Sequence, residues 1–193
     1  MTFTPAIHRA RVPGLLLVGL AAVGAAQSQT LVPAQSELAF TTRQMGVPVD
    51  GQFRRFAADM AFDPKKPEAA RLNFTVDLAS ARIGTADTEA ELAKPDWFNT
   101  KAFPQATFQS AAVKALGGGR FEVSGKLAIK GISRDVTVPV ALTQAGPVTT
   151  ALGSFTLKRL DFRIGDGDWK DTSMVANDVA VRLKLVLNGV APL

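Results

Sequence analysis

The chain has 193 residues, 22 basic and 17 acidic, with one histidine and no cysteine or tyrosine. At 47% hydrophobic and 20% charged it has the composition of one folded domain rather than a disordered chain. The missing cysteine excludes disulfides, zinc–thiolate sites, cysteine nucleophiles and a lipid-modified N-terminal cysteine.

The N-terminus reads as a targeting segment. His8, Arg9 and Arg11 form a basic head without an acid, followed by an apolar run from Val12 to Ala26 and then polar Gln27, Ser28 and Gln29. A basic head, a short apolar stretch and small residues before a polar segment predict a secretory signal peptide over residues 1–26, cut after Ala26. The apolar run holds about 15 residues, short of the roughly 20 that span a bilayer. An uncleaved anchor is the alternative. Arg9 and Arg11 are not adjacent, so the twin-arginine signal is not matched. The expectation is a periplasmic, secreted mature domain of residues 27–193.

Without the leader, 20 basic and 17 acidic residues leave a net charge of +3, and no histidine remains. Serine–histidine and cysteine–histidine nucleophiles are then excluded, as are haem or zinc held by imidazole. What survives is Asp/Glu/Lys acid–base chemistry or an oxygen-ligand metal. The small net charge, without aromatic–basic interleaving, gives no case for nucleic acid. The enzyme expectation is negative.

From Leu38 onward the pattern alternates with period two. Leu38, Phe40 and Thr42 share a face; an irregularity falls near Gly51; Phe56, Ala58, Met60 and Phe62 share the next face. Leu72 to Leu78 alternate, as do Ala106 with Phe108, Phe121 to Ile129, and Val136 to Leu142. Leu152, or Gly153 with Phe155 and Leu157, begins a seventh run, and Val179 to Leu187 form an eighth. Asp63-Pro64-Lys65-Lys66-Pro67 breaks the pattern because proline donates no ladder hydrogen bond. Gly117-Gly118-Gly119, Lys130-Gly131, Ala145-Gly146-Pro147 and Gly165 to Asp168 are turn candidates. Asp87 to Lys94 reads as the one helix, capped by Asp87 or Thr88 and stopped by Pro95. Eight antiparallel strands with one apolar face each predict an all-β sandwich or closed barrel. An eight-stranded barrel can be filled by side chains or hold one small ligand. Twelve phenylalanines, eleven of them beyond the leader, suit either a solid core or a greasy cavity, and alternation does not separate the two.

Three constellations bear on chemistry. Asp166, Asp168 and Asp171 fail the calcium-loop spacing and read as a polar turn. Asp166 with Asp168 as paired hydrolytic acids is the weaker alternative. Trp97, Phe98 and Phe103 could close one end of a barrel or simply plug it. Arg54, Arg55, Lys65 and Lys66 are the best basic group, able to meet lipid head groups in a transient membrane contact.

Ordered motifs then carry a resemblance. Met45 to Phe56, Phe62-Asp63-Pro64 and Asp77 to Ser80 come first. Trp97-Phe98-Asn99 with Phe103-Pro104-Gln105-Ala106-Thr107-Phe108 comes next, then Val123 to Gly131 and Leu160 to Gly165. Together these resemble the YceI-like family of periplasmic polyisoprenoid-binding proteins, from about Leu31 to Leu187. Asn99 stands where that family usually has Asp, and Arg163 where it usually has Gly. The resemblance implies an eight-stranded, antiparallel, lipocalin-like barrel with a short helix near one end. Its tunnel would hold a polyisoprenoid chain, such as the tail of a quinone or polyprenyl phosphate, with no other cofactor. The lining expected from alternation and motif position is Phe40, Phe56, Phe74, Phe98, Phe108, Leu127, Ile129, Phe155 and Phe162. A homodimer, a packed interaction module beside a membrane redox protein, and a carboxylate enzyme on an apolar substrate are the remaining alternatives.

Overall fold

The computed structural model describes residues 29–193. The expected leader therefore lies outside the described residues. Eleven strands form one antiparallel sheet: β1 (Thr30–Leu31), β2 (Glu37–Gln44), β3 (Val47–Phe53), β4 (Phe56–Ala61), β5 (Arg71–Asp77), β6 (Ala81–Arg82), β7 (Gln105–Gly117), β8 (Arg120–Ile129), β9 (Ile132–Ala145), β10 (Val148–Lys158) and β11 (Asp178–Asn188). Their order in the sheet is β4-β5-β7-β8-β9-β10-β11-β2-β3-β6, with β1 added on β11. The sheet curls on itself into a barrel-like shell.

All eight expected strands are present, and three more join them. β1 and β6 are two residues each, too short to show alternation. β3 contains Pro48, Asp50 and Gly51, all poor strand formers, and borrows its order from pairing with β2 over Leu38↔Phe53 to Gln44↔Val47. Gly51 is not an irregularity. It pairs with Phe40, and a Cβ at residue 51 would sit 2.3 Å from Phe40 Cζ. The ring therefore occupies the space a side chain would take. Gly125 plays the same part under the Phe108 ring, whose Cζ lies 2.6 Å from where its Cβ would be. Large rings are thus laid sideways along the wall.

The expected turn at Lys130-Gly131 forms, and a further one at Met45-Gly46 closes the β2–β3 hairpin. Met45-Gly46 and Lys130-Gly131 join their strands with positive φ at both residues (49° and 82°; 51° and 76°), the geometry that follows the sheet's right-handed twist. In β10 it is Gly153, Phe155 and Leu157 that face inward, while Leu152 is 49% exposed. A register shift between Ser110 and Ala112 in β7 exchanges the faces of that strand. Ala106 and Phe108 point inward before it and Val113 after it.

The open edges are stitched by side chains. Ser80 is fully buried. Its hydroxyl accepts from the Arg55 N–H at 3.0 Å and donates to Asp77 O at 2.6 Å, tying the β5–β6 crossing to the β3–β4 junction. Gln29 acts as a surrogate strand residue: its amide donates to Phe62 O and its Oε1 accepts from Phe62 N at 2.9 Å. That joins the start of β1 to the end of β4.

The helix, α1 (Ala86–Leu92), is capped two or three residues earlier than the sequence suggests. Thr85, not Asp87 or Thr88, is extended and accepts from the Thr88 N–H at 3.4 Å. It ends at Leu92, because the Phe98 N–H returns to Leu92 O at 2.9 Å and folds the next segment back over it.

Candidate functional site

The shell encloses a cavity of about 470 Å³. That falls in the range of ligand-binding pockets, roughly 300–1,000 Å³. Eight of the nine residues expected in its lining stand there: Phe40, Phe56, Phe74, Phe98, Phe108, Leu127, Ile129 and Phe155. Phe162 does not. It is 2% exposed and belongs to the core cluster with Leu78, Phe98 and Ile129. The reason is local: Phe162 ends a 3₁₀ turn, Arg159–Phe162, beyond β10, where strand alternation no longer decides which way a side chain points.

The cavity has two unlike ends. At one, Met60, Phe62, Val113, Phe121, Val140, Leu142, Leu185 and Leu187 present only hydrocarbon, aromatic carbon and a thioether. Phe62 and Phe121 meet edge to face there, with centroids 5.2 Å apart. At the other, exposed Gln44, Gly84, Thr85 and Thr88 line the cavity and mark its mouth. The mouth lies between the β2–β3 hairpin, the start of α1 and the 167–175 loop. Trp97 and Trp169 stand there with centroids 5.3 Å apart.

Arg159 belongs to this mouth end. It is 2% exposed and lines the cavity. Nε donates to Ala176 O at 3.1 Å, Nη1 to Ile164 O at 2.8 Å and Gly165 O at 3.1 Å, and Nη2 to Trp169 O at 2.6 Å and Val175 O at 2.7 Å. All five N–H groups are used, and no carboxylate pairs with it among the described residues. Burial pulls the guanidinium below its ordinary pKa, yet arginine stays protonated at working pH. The charge is spread over carbonyl dipoles, and it organises the loop that frames the mouth. Nothing in the local sequence signals it: one arginine at a strand end reads as solvated, and its partners lie up to 17 residues away.

Two other polar atoms at the cavity are shut off from solvent and have no hydrogen-bond partner among the described residues: Thr42 Oγ1 and Trp97 Nε1. A buried group left unpaired in this way costs about 1–3 kcal/mol.

The charged groups singled out in the sequence lie elsewhere. Asp166 pairs with Arg163 Nη2 at 2.9 Å and Lys170 Nζ at 3.4 Å, and neither it nor Asp168 lines the cavity. Burial alone would raise the Asp166 pKa; the two cations outweigh it and hold the carboxyl below its usual value. Among the described residues no group of three His, Cys, Asp or Glu is placed to hold a metal ion. The four basic residues are not one patch: Arg54 and Arg55 precede β4 and Lys65 and Lys66 follow it, and Arg55 is spent on Asp77 at 2.8 Å.

A curled antiparallel sheet around an apolar cavity defines a cavity-enclosing β-barrel-like protein of lipocalin-like form. The family model described as the YceI-like domain matches residues 29–187, and the chain belongs to the YceI-like family. It is 33% identical over 96 residues to protein YceI of Escherichia coli O157:H7, and 31% identical over 106 residues to a UPF0312 protein of Shewanella baltica. These stretches cover 50% and 54% of this chain and 50% and 56% of those proteins, so the chain spans about half the length of the curated relatives it matches. Among solved structures, Burkholderia cenocepacia BcnA is 41% identical, with a TM-score of 0.78 over 81% of this chain and 98% of that one. A polyisoprenoid-binding domain from Saccharophagus degradans, implicated in plant cell wall breakdown, shares the fold at 16% identity, with a TM-score of 0.67 over 86% of this chain and 99% of that one.

The two departures noted from the family pattern have a shared geometry. Asn99 and Arg163 both have positive φ, 51° and 54°. Asn tolerates the left-handed region by bonding locally; Arg pays a steric penalty there that Gly does not.

Proposed function

We propose that this protein is a non-enzymatic carrier or sink for a polyisoprenoid lipid, held tail-inward in the cavity and handled in the periplasm after removal of residues 1–26. The observation that carries this reading is a cavity that opens at an exposed rim and ends in a wall with no polar group. A polyprenyl tail has almost no polar atoms, so its site needs apolar area and little else. Burial at about 0.8 kcal/mol per CH₂ leaves ample gross affinity before ordering costs. The fold is that of a polyisoprenoid-binding domain, and the mature sequence lacks the histidine, cysteine and tyrosine that most acid–base and nucleophilic enzymes use. Neither Asp166 nor Asp168 lines the cavity, so these two carboxylates are not placed to act as paired acids on a substrate held there.

Membrane contact belongs to the same reading, at a different place from Arg54, Arg55, Lys65 and Lys66. Met45 (66% exposed), Val47 (64%) and Met174 (44%) stand beside the mouth, and the Met45 N–H donates to Met174 O at 2.8 Å. An apolar rim there lets a chain pass from a bilayer without crossing water. The test is uptake of a polyprenyl quinone from vesicles by the delipidated full-length protein, followed by quenching of Trp97 and Trp169 fluorescence. Saturable quenching is expected. No uptake of either quinone or plain isoprenoid hydrocarbon would overturn the reading.

A further inference from the structure

Sulfur is scarce in this chain and unevenly placed. There is no cysteine, and the described residues hold three methionines, Met45, Met60 and Met174. Met60 lines the hydrocarbon end of the cavity. Met45 and Met174 stand at the opposite end, 66% and 44% exposed. Six large hydrophobic side chains are exposed among the described residues, and these two with Val47 make half of them. Exposed apolar groups gathered in this way mark a surface that meets something.

The backbone holds the two thioethers together. The Met45 N–H donates to Met174 O at 2.8 Å, and Gln44 bridges to Val175 beside them. Both of those neighbours line the cavity. The β2–β3 hairpin tip and the 167–175 loop are thus joined at one point of the rim, with a methionine on each side. Local propensity does not explain Met45. It has φ 49° and precedes Gly46 at φ 82°, in a two-residue turn whose first position favours Asn, Asp or Gly. A flexible apolar side chain kept on a left-handed residue in contact with solvent serves the surface rather than the turn.

With no thiol to compete, an aqueous peroxide meets these two sulfurs first. The sulfur lone pair attacks one peroxide oxygen, and the S–O bond forms as the O–O bond breaks. The sulfur gives up two electrons; the departing hydroxide takes the proton from the bound oxygen and leaves as water. The product, methionine sulfoxide, is polar where the thioether was apolar. Two sulfoxides would turn the apolar rim into a hydrated one. A thiol-dependent sulfoxide reductase reverses the step: two thiols become a disulfide and the oxygen leaves as water.

We propose that Met45 and Met174 form a reversible oxidation site that switches off lipid collection at the mouth while leaving the cavity intact. This rests on the lipid-binding reading of the cavity, and adds its regulation.

The test treats the full-length protein with hydrogen peroxide and follows its methionine-containing peptides by mass. Met45 and Met174 are expected to gain one oxygen each well before Met60. Protein oxidised at these two residues should take polyprenyl quinone from phosphatidylcholine vesicles about fivefold or more slowly than untreated protein, since each new polar group must be dehydrated at the bilayer. It should bind quinone delivered from dilute ethanol with unchanged affinity. Treatment with a methionine sulfoxide reductase should restore the vesicle rate. The double variant Met45→Leu with Met174→Leu should lose the response to peroxide, each protein being compared with its own untreated rate, and Met60→Leu should keep it. Met45→Gln places a polar amide on the rim without oxidant and should slow collection from vesicles, which tests the rim if the double variant misfolds. Oxidation of Met60 as fast as the rim pair, an unchanged vesicle rate after both rim residues are oxidised, or equal loss by the two routes of delivery would overturn the switch while leaving lipid binding intact. No uptake from either source by untreated protein would instead overturn the lipid-binding reading on which it rests.

Discussion

The two ends of the cavity are built by different means. The hydrocarbon end is made of strand interiors, where alternating side chains from β4, β7, β8, β9 and β11 meet. The mouth end is made of loops and one short helix, and depends on hydrogen bonds between residues far apart in sequence. The first needs only apolar area and correct register. The second needs a buried arginine to hold its carbonyls, and leaves polar atoms uncommitted. A container for a greasy chain can be specified by pattern, whereas what it recognises at the entrance is specified by irregular backbone.

The sharpest way to break this contrast is to remove the cation from the mouth. Arg159→Met orphans five carbonyls in a buried loop and is expected to destabilise the protein by about 3–5 kcal/mol, read from the urea midpoint. Arg159→Lys, with three donors, should recover only part of this. A loss below about 1 kcal/mol would mean that water replaces the guanidinium and that the mouth is not organised by it.

The complementary change attacks the wall. Phe155→Asp places a carboxylate against the lumen, and should reduce uptake of isoprenoid by more than about 100-fold through desolvation of the charge. The outward neighbour Thr156→Asp, exposed on the same strand, should leave uptake unchanged. A smaller effect comes from Gly51→Ala. Its methyl would force the Phe40 ring off the wall and into the lumen, at a cost of about 1–3 kcal/mol in thermal or urea unfolding. Ligand capacity should fall with it; unchanged capacity would show that the ring does not need the glycine to clear the cavity.

The smallest effect is a pH response confined to the mouth. Because the Asp166 pKa is depressed in the folded protein, its contribution is present above the ordinary carboxylate value and is lost as pH falls through the lower, folded one. The Gly165 and Asp166 amides, which donate to Asp96 O at 2.7 and 2.8 Å, should lose hydrogen-exchange protection in acid before the β10–β11 ladder does. Simultaneous loss would mean that the two ends open as one unit.

The same contrast governs what could be read from the residues. Eight strands and seven of the eight lining positions were legible because period-two alternation survives wherever a strand has one buried face, while Phe98, in the turn after α1, was legible from its motif alone. β3 was not, since Pro48, Asp50 and Gly51 carry no strand signal and are held by their partners. Phe162 was misplaced because its backbone had already left the strand. Arg159 was invisible because its five partners are carbonyls, which every residue has. Whether the phenylalanines fill the barrel or line it was also undecided, and the answer turns on Gly51 and Gly125, whose missing side chains accommodate two of the rings.

The central claim is that the cavity is a seat for an isoprenoid lipid. The most direct measurement is organic extraction of the full-length protein purified from cells without detergent, followed by mass spectrometry of the extract. The account predicts a polyprenyl compound at a stoichiometry approaching one per chain, retained by the Thr156→Asp protein and lost from the Phe155→Asp protein. Repeated extracts that contain no lipid, from protein that also fails to take up added polyprenyl quinone, would contradict it.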